Sequence, residues 1–366
     1  MTPEQAPEYH QHTFVEAIFV AGNRGPCGGV NMALEAAYQV LDIRDRVAGY
    51  RVEAENIGDI EPRFRIYSLW DIVHNKPVMA ELAKRGLISV NSRLDLIPRG
   101  SAAFKPAHGG PSWMDQYASE MGWHMIDVTC QLVTRVQNFS KRAESEGKHV
   151  IYIGVTGHPE TIGVMGQLNP DNITLVERPE DVSSLILPGG KQKIVFSQTT
   201  LSPREVLKVE EVLLSKYPEV EIPNRLDICY ATYNRQEAVN KLIEEDHINM
   251  LIVVGSQHSH NSKELRDLGL LSGIPSYLVD YPHELRVEWF APWIKKVGAT
   301  SGASVRDSFL SPVIDHILRM SPKVSEPIYE DQVIPEADLT FKLPQTQIDE
   351  LKEYWALKDV SSSFNC

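Results

Sequence analysis

The chain has 366 residues, 42% apolar and 23% charged, a globular composition with room for two or three domains. Its formal charge of −13 argues against binding a nucleic-acid backbone, and no apolar run approaches the roughly 20 residues of a membrane span. Sparse cysteine (Cys27, Cys130, Cys229 and Cys366) points away from a disulfide framework and towards metal or redox chemistry, with inert buried thiols as the plain alternative.

The N-terminal stretch MTPEQAPEYHQHTF is polar, acidic and free of Arg, unlike a secretion signal or transit peptide. Residues 1–13 are therefore expected to be a loose tail on a cytoplasmic protein. Next comes the apolar run AIFV, then a glycine-rich turn holding Cys27. A helical pattern follows, with Val30, Leu34, Ala37, Tyr38 and Leu41 on one face. The later stretch RIYSLWDIVHNKPV places His74 just past an apolar run.

The same order recurs. Cys130 follows WHMIDVT and precedes a helical stripe of Leu132, Val133, Val136 and Phe139. The buried-strand pattern VIYIGV then leads into a loop with His158. Cys229 follows NRLDI and precedes a helix with Ala238, Val239 and Leu242 on one face. The run LIVV then leads into a loop with His258 and His260. Each thiol is predicted at or near a helix N-terminus, where the dipole favours the thiolate that binds iron. The chain reads as three α/β units, each offering one cysteine and, on a following loop, histidines or hydroxyls. In open α/β sheets, ligands bind outside the carboxyl ends of the strands.

Residues 14–125 are expected to form the first unit, 126–224 the second and 225–320 the third. A proline- and acid-rich tail, 321–366, follows. It carries a strand-like ADLTFKLP and a helix-like QTQIDELKEYWALK, and is expected to pack on the body. Three isolated cysteines lack the paired spacing of a zinc site and the four ligands of an electron-transfer ferredoxin. They suit a [4Fe–4S] cluster with one iron left open, and inert thiols remain the alternative.

The stretches RGPCGGV, VHNKPV, PAHGG, IDVTCQLVTRV, IGVTGHPETIGVMGQ, SQTTLS, DICYATYNRQEAV, VVGSQHSHNS and VGATSGAS keep the motif order of a known family. Over roughly Phe14 to Leu310 the chain resembles the 4-hydroxy-3-methylbut-2-enyl diphosphate reductases of the non-mevalonate isoprenoid pathway. The resemblance implies three α/β domains in a trefoil-like arrangement around a [4Fe–4S] cluster held by Cys27, Cys130 and Cys229. It implies an allylic diphosphate substrate, reductive loss of its hydroxyl as water, and a ferredoxin or flavodoxin as electron donor.

By motif match, Glu160 is the proton-delivering acid, Thr199 and Gln198 lie near the substrate hydroxyl, and His158 is shared between catalysis and binding. His74, His108, His158, Ser259, Asn261 and Ser304 match the diphosphate pocket, with His260 beside them. The simpler readings are a Glu160 at a helix start and a Thr199 near a helix cap. His10, His12, His149, His283 and His316 are read as structural or solvated.

The match departs at Pro26, Gly28, Gln131 and His260, and the segment from about Ile43 to Phe64 is longer than in compact members. These departures leave room for a paralogue acting on another allylic diphosphate. A non-catalytic iron–sulfur sensor is the reading from another class.

Overall fold

Three parallel sheets organise the protein, seen here in a computed structural model that describes residues 13–223, 229–331, 333, 334, 336 and 341–356. In chain order the first elements are β1 (Ala17–Val20), α1 (Gly28–Ala48), β2 (Ile66–Ser68), α2 (Lys76–Lys84), β3 (Leu87–Ser89), β4 (Ala102–Lys105), α3 (Ser112–Glu120) and β5 (His124–Asp127). Then come α4 (Gln131–Ser145), β6 (His149–Ile153), α5 (Pro159–Met165), β7 (Ile173–Val176), α6 (Asp181–Ser184), β8 (Lys193–Ser197) and α7 (Pro203–Lys216). The last are α8 (Tyr230–Glu244), β9 (Met250–Val254), α9 (His260–Leu271), β10 (Ser276–Val279), β11 (Lys296–Ser301), α10 (Asp307–Met320), β12 (Ile328–Tyr329) and α11 (Gln345–Ala356). The chain divides into two compact units at Cys27, Cys229 and Glu336.

The first unit holds the sheet β10-β9-β11-β1-β12, all parallel. β9, paired on both sides by β10 and β11, is buried at every position, as expected of an apolar strand covered on both faces. The sequence boundaries had grouped β1 with residues up to 125. Backbone pairing overturns that grouping: Ala17–Val20 lie in register with Lys296–Ala299. An isolated four-residue strand cannot satisfy its N–H and C=O groups, and β11 supplies the partners.

The second unit holds two sheets, β3-β2-β4-β5 and β7-β6-β8. β5 crosses the expected boundary after residue 125 and pairs with β4 throughout. The apolar stripe of α4 behaves as its spacing predicts, with Val133 and Val136 buried. α1 is covered more widely than its stripe, because Met32, Ala33, Ala36 and Val40 are buried as well. The long segment after Ile43 is pinned by Arg44, whose fully buried guanidinium donates to the carbonyls of Phe64, Val52 and Arg85.

The C-terminal helix forms as expected. α11 packs on α1 and β5, burying Leu351 and Trp355, and Gln347 donates to the Met125 carbonyl. The N-terminal tail 1–12, the first half of ADLTFKLP (337–340) and Cys366 lie outside the described residues. No helix among the described residues is long and apolar enough to cross a membrane.

Within the second unit, α5 docks on the loop after β4 by close backbone approach. Ser112 N–H and Oγ both donate to the Gly166 carbonyl (3.1 and 2.9 Å), and Gln167 Nε2 donates to the Gly110 carbonyl at 2.7 Å. A Cβ on Gly166 would lie 2.1 Å from Pro111 Cβ, so only glycine fits there. Gly166→Ala should therefore push α5 off this loop and cost about 1–3 kcal/mol. The check is a lowered urea midpoint with an unchanged m-value; wild-type stability would contradict the docking.

Candidate functional site

The candidate residues lie on loops or helix starts past the carboxyl ends of parallel strands, the usual ligand position in α/β sheets. In the second unit, His74 follows β2, His108 follows β4, Cys130 follows β5, His158 follows β6 and Thr199 follows β8. Backbone hydrogen bonds tie these loops together. Cys130 N–H donates to the Ala107 carbonyl at 3.0 Å, and Cys229 N–H donates to the Thr199 carbonyl at 2.9 Å.

Three imidazoles converge. The His74 and His108 ring centroids are 4.3 Å apart, His108 and His158 5.5 Å, and His74 and His158 5.8 Å. One ring nitrogen from each lies within 4.8 Å of the other two, close enough to meet on a single anion or cation. Burial, and then the neighbouring His74 and His158, hold His108 well below the ordinary imidazole range, so it is neutral at pH 7. Its Nδ1 is buried without a hydrogen-bond partner, a polar atom left for a ligand. His158 caps α5, its Nδ1 accepting the Glu160 N–H at 3.2 Å. In the neutral ring that leaves the proton on Nε2 as a donor.

Glu160 is only 1% exposed. Its Oε1 accepts the Thr199 N–H at 2.7 Å and its Oε2 accepts the Thr199 hydroxyl at 3.1 Å. The simple helix-start reading of Glu160 thus understates its role, because the carboxyl is aimed at the loop after β8. Gln198, expected beside the substrate, makes structural hydrogen bonds as well. Its Oε1 accepts from Val155 N–H and Thr161 Oγ1, and its Nε2 donates to Thr200 Oγ1. It braces the loop that carries Thr199 against the start of α5. The helix cap of α7 belongs to Ser202, in a capping box with Glu205, and not to Thr199 or Thr200.

Cys130 is the N-cap of α4, with its sulfur against Gly29 of α1. A Cβ on Gly29 would stand 2.9 Å from that sulfur. Burial pushes the Cys130 thiol up to about 11, with Cys229 and Glu160 adding to the rise, while the Leu132 and Val133 N–H groups pull it down. A bound metal cation supplies the charge that two N–H groups cannot, so Cys130 fits a metal–thiolate ligand. No disulfide joins Cys27, Cys130 and Cys229, and all three are half-buried.

In the first unit, Cys27 sits on the turn after β1. Its N–H donates to the Ala303 carbonyl at 3.0 Å, and Gly25 N–H donates to Ser301 Oγ at 2.9 Å. These bonds bring Cys27 beside the loop that carries Ser304. Asn261, in the first turn of α9, accepts the Ala303 N–H at Oδ1, while its Nδ2 is buried without a partner. Ser259 caps α9, accepting from Ser262 N–H and Oγ. α9 reaches this position because Gly255 and Gly302 yield to Ser262, where a Cβ would come within 2.3 and 2.0 Å of its hydroxyl. His260 turns towards Glu264 one helical turn on, at 3.9 Å.

Arg235 is the residue that sequence reasoning missed. Buried on α8, it donates twice to the Gly25 carbonyl and once each to Ala231 and Glu336 (2.6 Å). It holds the Cys27 turn in place. The available signal was a basic residue on the helix face shared with Ala238, Val239 and Leu242.

The Cys130 environment has a direct consequence for the metal-free, reduced protein. Alkylation requires thiolate, so a raised pKa makes Cys130 slow near neutral pH. Its rate should climb about tenfold per pH unit until pH approaches 11. Mass spectrometry of the Cys130 peptide after timed iodoacetamide exposure checks this, and a plateau already below pH 9 would contradict it.

Residues 18–318 match the family described as LytB protein. The 4-hydroxy-3-methylbut-2-enyl diphosphate reductase of Azotobacter vinelandii is 37% identical over 331 residues, 90% of this chain and 97% of that protein. The enzyme of the same name from Shewanella pealeana is 36% identical over 309 residues, 84% of this chain and 93% of that one. The solved structure of the E-1-hydroxy-2-methyl-but-2-enyl-4-diphosphate reductase from Plasmodium falciparum is similar at a TM-score of 0.79. At 28% identity it covers 93% of this chain and 99% of its own. With that span of sequence and fold in common, the chain belongs to the LytB family.

Proposed function

We propose that this protein is a 4-hydroxy-3-methylbut-2-enyl diphosphate reductase. It removes the allylic hydroxyl of its substrate as water, using two electrons and two protons, and releases isopentenyl and dimethylallyl diphosphate. Family membership and the relatives' names support the activity. The observation that carries the chemistry is the buried Glu160–Thr199 pair, in a unit that also holds Cys130, Cys229 and three converging imidazoles.

LytB enzymes use an iron–sulfur cluster, and we read it here as [4Fe–4S] with Cys27, Cys130 and Cys229 as its ligands. When bound, such a cluster supplies electrons and an open iron as a Lewis acid. The protein's own side chains do the rest. His74, His108 and His158 offer imidazole nitrogens to the diphosphate, and Ser259, Asn261 and Ser304 offer hydroxyl and amide donors. The buried His108 Nδ1 and Asn261 Nδ2 find their partners in that anion.

As a carboxylate, Glu160 accepts both Thr199 bonds. Protonated at Oε2, it reverses the bond to Thr199 Oγ1, and the threonine hydroxyl then passes its own proton outward to the leaving hydroxyl. The C–O bond breaks, water departs, the two electrons remain on the allyl fragment, and a second proton goes to carbon. His158 fixes Glu160 from the other side, through its backbone N–H. A non-catalytic sensor would have no use for this relay.

Turnover of hydroxymethylbutenyl diphosphate by the anaerobically purified, cluster-loaded protein with reduced methyl viologen is the expected result. No turnover would overturn the reading. Glu160→Gln keeps the shape and loses the proton, so kcat should fall by about 10²–10⁴-fold while the cluster's visible spectrum stays unchanged. Near-wild-type kcat in that variant would remove Glu160 from the relay. Cys130→Ser should abolish stable iron binding, read as iron content after gel filtration.

A further inference from the structure

The proposed reaction needs two electrons from outside the chain, and one exposed helix face differs in charge from the rest of the molecule. α4 begins at Cys130, its N-cap. Its buried stripe is Val133, Val136, Gln137, Ser140 and Ala143. The opposite face exposes Gln131, Thr134, Arg135, Asn138, Lys141 and Arg142. Helical geometry gathers these six into a single arc. A groove of about 360 Å³ runs along this face, lined by Gln131, Thr134, Arg135, Asn138 and Phe139.

The charge on this face opposes that of the molecule. The chain carries 49 acidic residues against 36 basic ones, yet none of the acids falls between Gln131 and Ala143. Arg135 and Lys141 have no acidic partner among the described residues. The acids nearest in sequence are engaged elsewhere. Asp127 pairs with Lys105 at 3.4 Å and accepts from Thr129. Glu144 accepts from Asn169 N–H and Asn172 Nδ2, and Glu146 pairs with Arg142 and Lys148. A rise of 1.5 Å per residue puts Arg135 about 7.5 Å along the helix axis from Cys130.

We propose that the exposed face of α4, with Arg135 and Lys141 as its charged anchors, is the docking surface for a small acidic electron-carrier protein. This rests on the reductase reading above. A net-negative enzyme repels an acidic carrier at long range, and a local positive face sets where the encounter settles. A one-electron carrier visits twice per turnover, and two carriers are each oxidised by one electron. The pair of electrons cleaves the substrate C–O bond, one proton completes the departing water and the other goes to carbon. Gln131 and Thr134, in the first turn of α4, bring the docked carrier next to the Cys130 end of the helix.

The test uses the cluster-loaded full chain and a plant-type [2Fe–2S] ferredoxin, titrated calorimetrically at low and at high ionic strength. Wild type should bind, with affinity falling as salt rises. The double variant R135E/K141E should weaken binding about tenfold or more at low salt and converge on wild type at high salt. Its turnover with reduced methyl viologen should be unchanged, which also shows that it folds. R204E/K208E, the same charge change on exposed positions of α7, should bind like wild type. Unchanged ferredoxin affinity in R135E/K141E, equal weakening in R204E/K208E, or no ferredoxin binding by wild type would each overturn the proposal. Loss of dye-driven turnover in wild type would sink the reductase reading instead, and the binding data would still stand as a separate result.

Discussion

The second unit depends on one buried contact, the double hydrogen bond between the Glu160 carboxyl and Thr199. A carboxyl group out of water needs partners, and here a backbone N–H and a hydroxyl from one residue provide them. The contact then propagates. The Thr199 carbonyl takes the Cys229 N–H, and the Glu160 N–H goes to His158, which stands with His74 and His108. The acid, one thiol and the His158 imidazole are therefore held by a single chain of bonds, with His74 and His108 against that ring. Gln198 stiffens that chain from beneath, with its amide joined to Val155, Thr161 and Thr200.

The thiols are positioned differently from the acid. Each sits on a turn whose backbone N–H is tied to a neighbouring loop: Cys27 to Ala303, Cys130 to Ala107 and Cys229 to Thr199. Backbone ties of this kind fix where each cysteine stands without using its side chain. Close approach makes the ties possible. Gly29 yields to the Cys130 sulfur, Gly166 to Pro111, and Gly255 and Gly302 to Ser262. Glycine matters at these positions because any Cβ would push two loops apart.

Much of the site was legible in advance because strand–turn–helix junctions leave local marks. The apolar runs before Cys130 and His158 became β5 and β6, and the stripes after Cys130 and Cys229 became the buried faces of α4 and α8. Other features left no local mark. Arg235 reads as an ordinary helical arginine until the Gly25 carbonyl, 210 residues away, closes on it. The bonds from Val155 N–H and Thr161 Oγ1 to the Gln198 oxygen leave no local mark either. The basic face of α4 is diluted along the chain by the apolar residues between its members, and only winding the helix gathers it.

Residue type and order alone supplied the candidate groups of this protein: three thiols on turns, an acid in GHPE, and imidazoles, hydroxyls and amides next to glycines. These are properties of side chains and short spacings, and they survive without coordinates. Only the tertiary structure decided which strands pair, and so which loops meet. β1 joined β11 and not its sequence neighbours, because pairing depends on hydrogen-bond partners that lie far along the chain. The same long-range closure decided that Glu160 faces Thr199, that Cys130 is buried enough to hold its proton, and that Arg135 and Lys141 share an open face. Burial and contact arise from packing distant segments together, and no local pattern encodes them.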